Sequence, residues 1–96
     1  MSAVEEFLVM YDDHKEVPSR FVGFIGRSRQ FDFILLYSDH FFGKTLVIHM
    51  QSQKSVVLTK EEAEDVDFLR NAFSLQQEEA EDVSAFLPQY LSETLL

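Results

Sequence analysis

Two of the three histidines in this sequence follow an aspartate directly, in "DDH" at 12–14 and "DH" at 39–40; the third, His49, lies in an apolar run. An imidazole beside a carboxylate is the elementary unit of acid–base catalysis, and Ser38 stands two residues before His40, where a nucleophile would be sought. The spacing does not supply the rest. Neighbouring residues of a strand point to opposite faces, so only a turn would let each pair cooperate. No G-x-S-x-G elbow surrounds Ser38. His14, His40 and His49, with Asp12, Asp13 and Asp39 as oxygen donors, would hold zinc only if the fold gathered them, although antiparallel pairing would bring His40 towards His49. There is no cysteine, which excludes disulfides, thiolate nucleophiles, iron–sulfur clusters and thiolate-bound zinc. No catalytic, cofactor-binding or metal-binding residue is therefore assigned, and no cofactor is expected. Asp12, Asp13 and Asp39 read as turn-capping residues.

The cations make a different offer. "GRSR" at 26–29 sets Arg27 and Arg29 on a loop that opens with glycine, and Lys44 precedes a later strand. The full phosphate loop and its lysine are missing, so a nucleotide site is not indicated. Arg27, Arg29 and Lys44 remain the candidate anion-binding set, for phosphate or for RNA stacked on open aromatic residues. Charge limits this reading. Residues 1–58 carry seven acids and six bases, net −1; residues 59–96 carry ten acids and two bases, net −8, giving the −9 of the whole chain. A phosphate backbone would be repelled by the acidic end, so nucleic acid is not the expected partner.

The elements that must position these residues follow from periodicity. "EFLVMY" (6–11) predicts a first short strand, ended by turn formers in "DDHKEVPS". "RFVGFIG" (20–26) and "FDFILLY" (31–37) predict a hairpin closed by the loop 26–30, with Gly23 marking a bulge or a close approach. "KTLVIHM" (44–50), the polar turn 51–54 and "SVVLT" (55–59) predict a second hairpin. Thr59 with Glu62 is a capping-box signature, and Ala63, Val66, Leu69 and Phe73 recur at helical spacing after it. Ala80, Val83, Phe86, Leu87, Tyr90 and Leu91 predict a second helix, which Pro88 must kink or replace with a short final turn.

The expected fold is a single α+β domain over residues 1–96. It has two layers: a four- or five-stranded, largely antiparallel meander and two C-terminal amphipathic helices packed on one face. The other face is the difficulty, because Val22, Phe24, Ile34, Leu36, Val47 and Val57 form a second apolar set out of phase with the first. Ninety-six residues make only a thin core, with little chain left to cover a second face. The expected cover is a second copy, or an unidentified protein partner. The adjacent Phe41 and Phe42 are too apolar for a free connection. With Phe24, Leu36 and Val47 they make up the candidate interface.

The blocks "YDD…RFVGF", "FDF", "FFGKTLV" and "QSQKSVVLT", ahead of an acidic helical tail, resemble a small family of uncharacterised cytosolic proteins from bacilli and staphylococci. The resemblance runs from about residue 7 to residue 90. It implies a bacterial cytosolic domain with no assigned reaction, and it transfers no functional residue. The N-terminus has acids before its short apolar run and no basic leader, and no apolar run is long enough to span a bilayer. The sequence thus predicts a small, non-enzymatic cytoplasmic protein of interaction or regulation that acts as a homodimer.

Overall fold

The computed structural model describes residues 6–91. Its order is β1 (Ser19–Ile25), β2 (Gln30–Tyr37), a 3-10 turn (Asp39–Phe41), β3 (Thr45–His49), β4 (Lys54–Leu58), α1 (Lys60–Ala63), α2 (Val66–Phe73), α3 (Gln77–Phe86) and a closing 3-10 turn (Leu87–Tyr90). The four strands form one antiparallel sheet in the order β1-β2-β3-β4, a meander whose neighbours in sequence are neighbours in space. The expected strand at 6–11 is absent. That apolar run has no strand beside it, and an unpaired strand gains nothing from its propensity.

Register fixes which side chains share a face. Val22 pairs with Phe33, Phe24 with Phe31, Leu35 with Val47, Phe33 with His49 and Val47 with Val56. These residues point together at the helices. The core joins Phe31, Phe33, Leu35, Val47 and Leu58 of the sheet to Ala63, Leu69, Phe73, Leu75, Ala80, Val83, Leu87 and Leu91. The second apolar set therefore divides: Val22, Phe24 and Val47 lie on the helix side, whereas Ile34, Leu36 and Val57 lie on the opposite side. Alternation separates a strand into two sets but does not say which set meets the helices when both are apolar.

Local signals set the helix boundaries. The Thr59 hydroxyl accepts from the Glu62 N–H at 3.2 Å while the Glu62 carboxylate accepts from the Thr59 N–H at 2.9 Å, completing the expected capping box. The single helix expected after it is broken in two. Asp65 is extended and its carboxylate accepts from the Phe68 N–H at 3.1 Å, so it caps a new helix. Pro88 sits in the first turn of the closing 3-10 segment, where its missing N–H costs nothing. The Tyr37 hydroxyl donates to the Tyr90 carbonyl at 2.9 Å and ties that segment to β2.

Candidate functional site

The side of the sheet away from the helices is apolar and, among the described residues, has no layer over it. Ile34, Leu36, Leu46, Ile48 and Val57 are half-buried by their own neighbours. At the edge strand, Phe21 and Ile25 are 73% and 83% exposed. A polar end borders the patch: Asp32 accepts from the side-chain amides of Gln51 at 2.6 Å and Gln30 at 3.0 Å. An apolar centre with a hydrogen-bonded polar margin has the anatomy of a protein interface.

At the other end of this face, the segment before β1 and the 3-10 turn are drawn together. The Pro18 carbonyl accepts from the Tyr37 N–H at 3.0 Å, Lys15 pairs with Asp39 at 3.3 Å, and His40 Nε2 lies 3.6 Å from an Asp13 oxygen. The Tyr11 ring stacks on His40 at 6.2 Å between centroids. Donation from Lys15 holds the Asp39 carboxyl below its usual pKa. These groups enclose a recess of ≈ 420 Å³ lined by Tyr11, Asp13, Val17, Leu36, Ser38, His40 and Phe41.

The candidate interface residues are thus split. Leu36 and Phe41 meet in the recess, and Phe42 stands beside it, 74% exposed. Phe42 also adopts the left-handed conformation, φ 54°, followed by Gly43 at φ 81°, so the turn needs two consecutive positive-φ residues and has one glycine to supply them. Val47 is fully buried within this chain, and Phe24 stacks on Phe86 at 4.1 Å and on Phe31 at 5.0 Å. Val47 is a core residue and Phe24 is partly buried against the core on the helix side, a correction that follows from the register. Phe21, Leu46 and Ile48 replace them on the open face. Alternation had already placed these three out of phase with Phe24 and Val47; the missing knowledge was the side on which the helices fall.

The proposed anion-binding residues do not converge either. Arg27 Nε reaches Asp82 at 2.8 Å, and Arg27 Nη2 reaches Glu81 at 3.0 Å and the Glu78 carbonyl at 3.1 Å. The Arg27 backbone N–H donates to the second Asp82 oxygen at 2.9 Å. These bonds raise the Arg27 pKa, chiefly through Glu81, and lower that of Asp82, chiefly through the backbone N–H. Gly26 makes the approach possible: a Cβ there would stand 2.7 Å from the Asp82 carboxylate. Arg29 pairs with Glu79 at 3.2 Å and Lys44 faces Glu62 at 3.6 Å. The hairpin loop is a clasp onto α3, and each of the three cations meets a carboxylate of its own chain.

The histidines remain apart. His40 lies before β3, in the exposed turn, while His49 ends that strand on the buried side. Among the described residues no three His, Asp or Glu side chains come together at metal-binding distance. His49 Nδ1 lies 2.7 Å from the Ser52 hydroxyl, and its Nε2 is the one buried side-chain polar atom with no partner among the described residues. Burial, reinforced by Arg29, holds its pKa below the usual value.

A four-stranded antiparallel meander, roofed on one side by helices and, among the described residues, open on the other, defines a small α+β fold. Residues 10–89 match the SAV0927-like family model, and the chain belongs to that small, uncharacterised bacterial family. No curated protein matches the sequence. No helix among the described residues is long and apolar enough to cross a membrane.

Proposed function

We propose that this protein works by association: a small cytoplasmic interaction or regulatory protein that forms a homodimer through its open sheet face, with no catalytic step of its own. The supporting observation is the face formed by Phe21, Ile34, Leu36, Leu46, Ile48 and Val57. Monomeric domains rarely leave so continuous an apolar surface bare. A second copy supplies an identical uncharged centre, which is the self-complementarity that a two-fold interface requires.

Sedimentation velocity across 1–100 µM protein tests the proposal. A concentration-dependent dimer is expected, and Ile48→Glu is expected to return it to monomer with an unchanged far-UV spectrum. A wild-type chain that stays monomeric across that range overturns the proposal. So does a dimer indifferent to charge at positions 46 and 48.

A further inference from the structure

Residues 7–11, "FLVMY", are five consecutive apolar side chains, and their exposures are 70%, 94%, 79%, 90% and 73%. They belong to no strand and no part of the core. The base of this arm is nevertheless fixed, by Tyr11 on His40, Lys15 on Asp39 and Pro18 on Tyr37. Tyr11 and Val17 line the same recess as Leu36, so the arm departs from the margin of the open face.

We infer that the arm of each copy seats against the open sheet face of the other, so that the two arms fill the layer between two sheets. This deepens the homodimer reading and rests on it. Three features select a second copy over the chain's own face. First, beyond its Tyr11 anchor the extended arm points Phe7 and Val9 one way and Leu8 and Met10 the other, so both sides are apolar. Continuous apolar runs belong to strands covered on both sides. Folding back onto its own sheet would cover one side and leave the other in water; two sheets cover both.

Second, the dimensions agree. The four extended residues 7–10 span about 13 Å, and four strands about 4.8 Å apart span about 14 Å from first to last, so the free part of one arm crosses one sheet. Third, the area suffices. Phe7 can bury about 150–250 Å² and the three aliphatic side chains on the order of 100 Å² each, so one arm brings roughly 500 Å². Reciprocal exchange, with the surfaces the arms cover, exceeds the roughly 1,600 Å² of an ordinary stable interface. Neither the arm nor the centre of the face carries a charge, so burial leaves no ion unpaired.

The absence of native cysteine allows a direct test. Copies carrying V9C or M10C are mixed with copies carrying I48C and treated with a short bifunctional thiol reagent. A mixed cross-linked dimer is expected from at least one pairing, and L8D/M10D is expected to weaken dimerisation at least tenfold without altering the far-UV spectrum. If the wild type is a dimer but no mixed cross-link forms, or L8D/M10D leaves the dimer intact, arm exchange is overturned while face association stands. If V9C/I48C or M10C/I48C closes within one chain at nanomolar concentration, the arm covers its own sheet and the exchange is overturned. A monomeric wild type removes both readings.

Discussion

Acidifying the protein from pH 8 to pH 5 will destabilise it through His49. The ring is 1% exposed, held between the Phe31 and Phe33 rings at 5.8 and 5.2 Å, with the edge of Phe73 at 6.0 Å. A proton on Nε2 would have no acceptor, and the new charge would face Arg29; Glu79 and Asp32 offset this only in part. The folded-state pKa therefore lies below the unfolded value of about 6.5. As pH falls through that value the unfolded chain binds the proton first. The contribution of neutral His49 is complete above about pH 6.5 and declines below it, until the folded-state pKa is passed. One proton sets the steepest decline, about 1.4 kcal/mol per pH unit.

His49→Leu isolates this effect, since it keeps an apolar side chain of similar size and removes the titration. At pH 8 it forfeits one hydrogen bond, worth about 1 kcal/mol, and removes an unpaired buried nitrogen of opposite and comparable effect. The two proteins should then be within about 1 kcal/mol of each other. At pH 5 the variant should be the more stable. Urea unfolding followed by far-UV circular dichroism at pH 8, 7, 6 and 5, at one protein concentration, measures both curves; the chain has no tryptophan to report by fluorescence. Asp39, Glu79, Glu81 and Asp82 all have lowered pKa values and contribute to pH dependence only at more acid pH, below about 4.5. Parallel stability curves for the two proteins from pH 8 to pH 5 would refute the assignment.

Thr59→Ala should cost about 1 kcal/mol in urea unfolding, because it leaves the Glu62 N–H without its cap; a loss under a few tenths would show the capping box to be idle. Phe42→Gly should stabilise the fold by about 1 kcal/mol by removing a left-handed non-glycine residue, read as a raised unfolding midpoint; an unchanged or lower midpoint contradicts it. Arg27→Ala should speed hydrogen exchange at the 26–29 loop and make it insensitive to salt, while the wild-type loop should exchange faster in 0.5 M NaCl. Asp82→Asn, which keeps an acceptor for the Arg27 N–H, should disturb the loop less than Asp82→Ala. Equal effects from the two Asp82 variants would show that charge, not the backbone hydrogen bond, holds the clasp.

Strands β1 to β4 were legible because their information is local: alternating apolar residues, polar loops at 26–30 and 51–54, and a capping box at 59–62. Antiparallel neighbours joined by short loops need no distant contact to be specified. What depended on distant contacts was not legible. The run 6–11 has strand composition, but composition does not provide a partner. Val47 and Ile48 are both β-branched and apolar, so neither announces that one is buried under the helices and the other lies on the open face. Arg27 stands in a loop of ordinary solubilising appearance, and its three acidic partners lie more than fifty residues away. The split between α1 and α2 was visible in principle, since Asp65 precedes Phe68 by the spacing of an N-cap. The apolar repeat 63, 66, 69, 73 runs through the break and conceals it. The two adjacent phenylalanines are plain in the sequence, but the recess that Phe41 shares with Leu36 is closed by the segment before β1 and was not legible.

The helix layer has a further consequence, for when growth stops. Glu61, Glu64, Asp65 and Asp67 are exposed on and between α1 and α2, where Lys60 and Arg70 are the only bases, whereas Glu78 and Glu81 of α3 are paired with Arg27. In a pair joined through its sheets, both outward surfaces carry this negative charge. A third copy arriving from either side meets repulsion before contact, with a range of about 8 Å at physiological ionic strength. In the proposed pair, the layer that roofs the core would also hold assembly at two. Raising the salt concentration, or neutralising those four acids, should let stacking continue past the proposed pair and lower solubility.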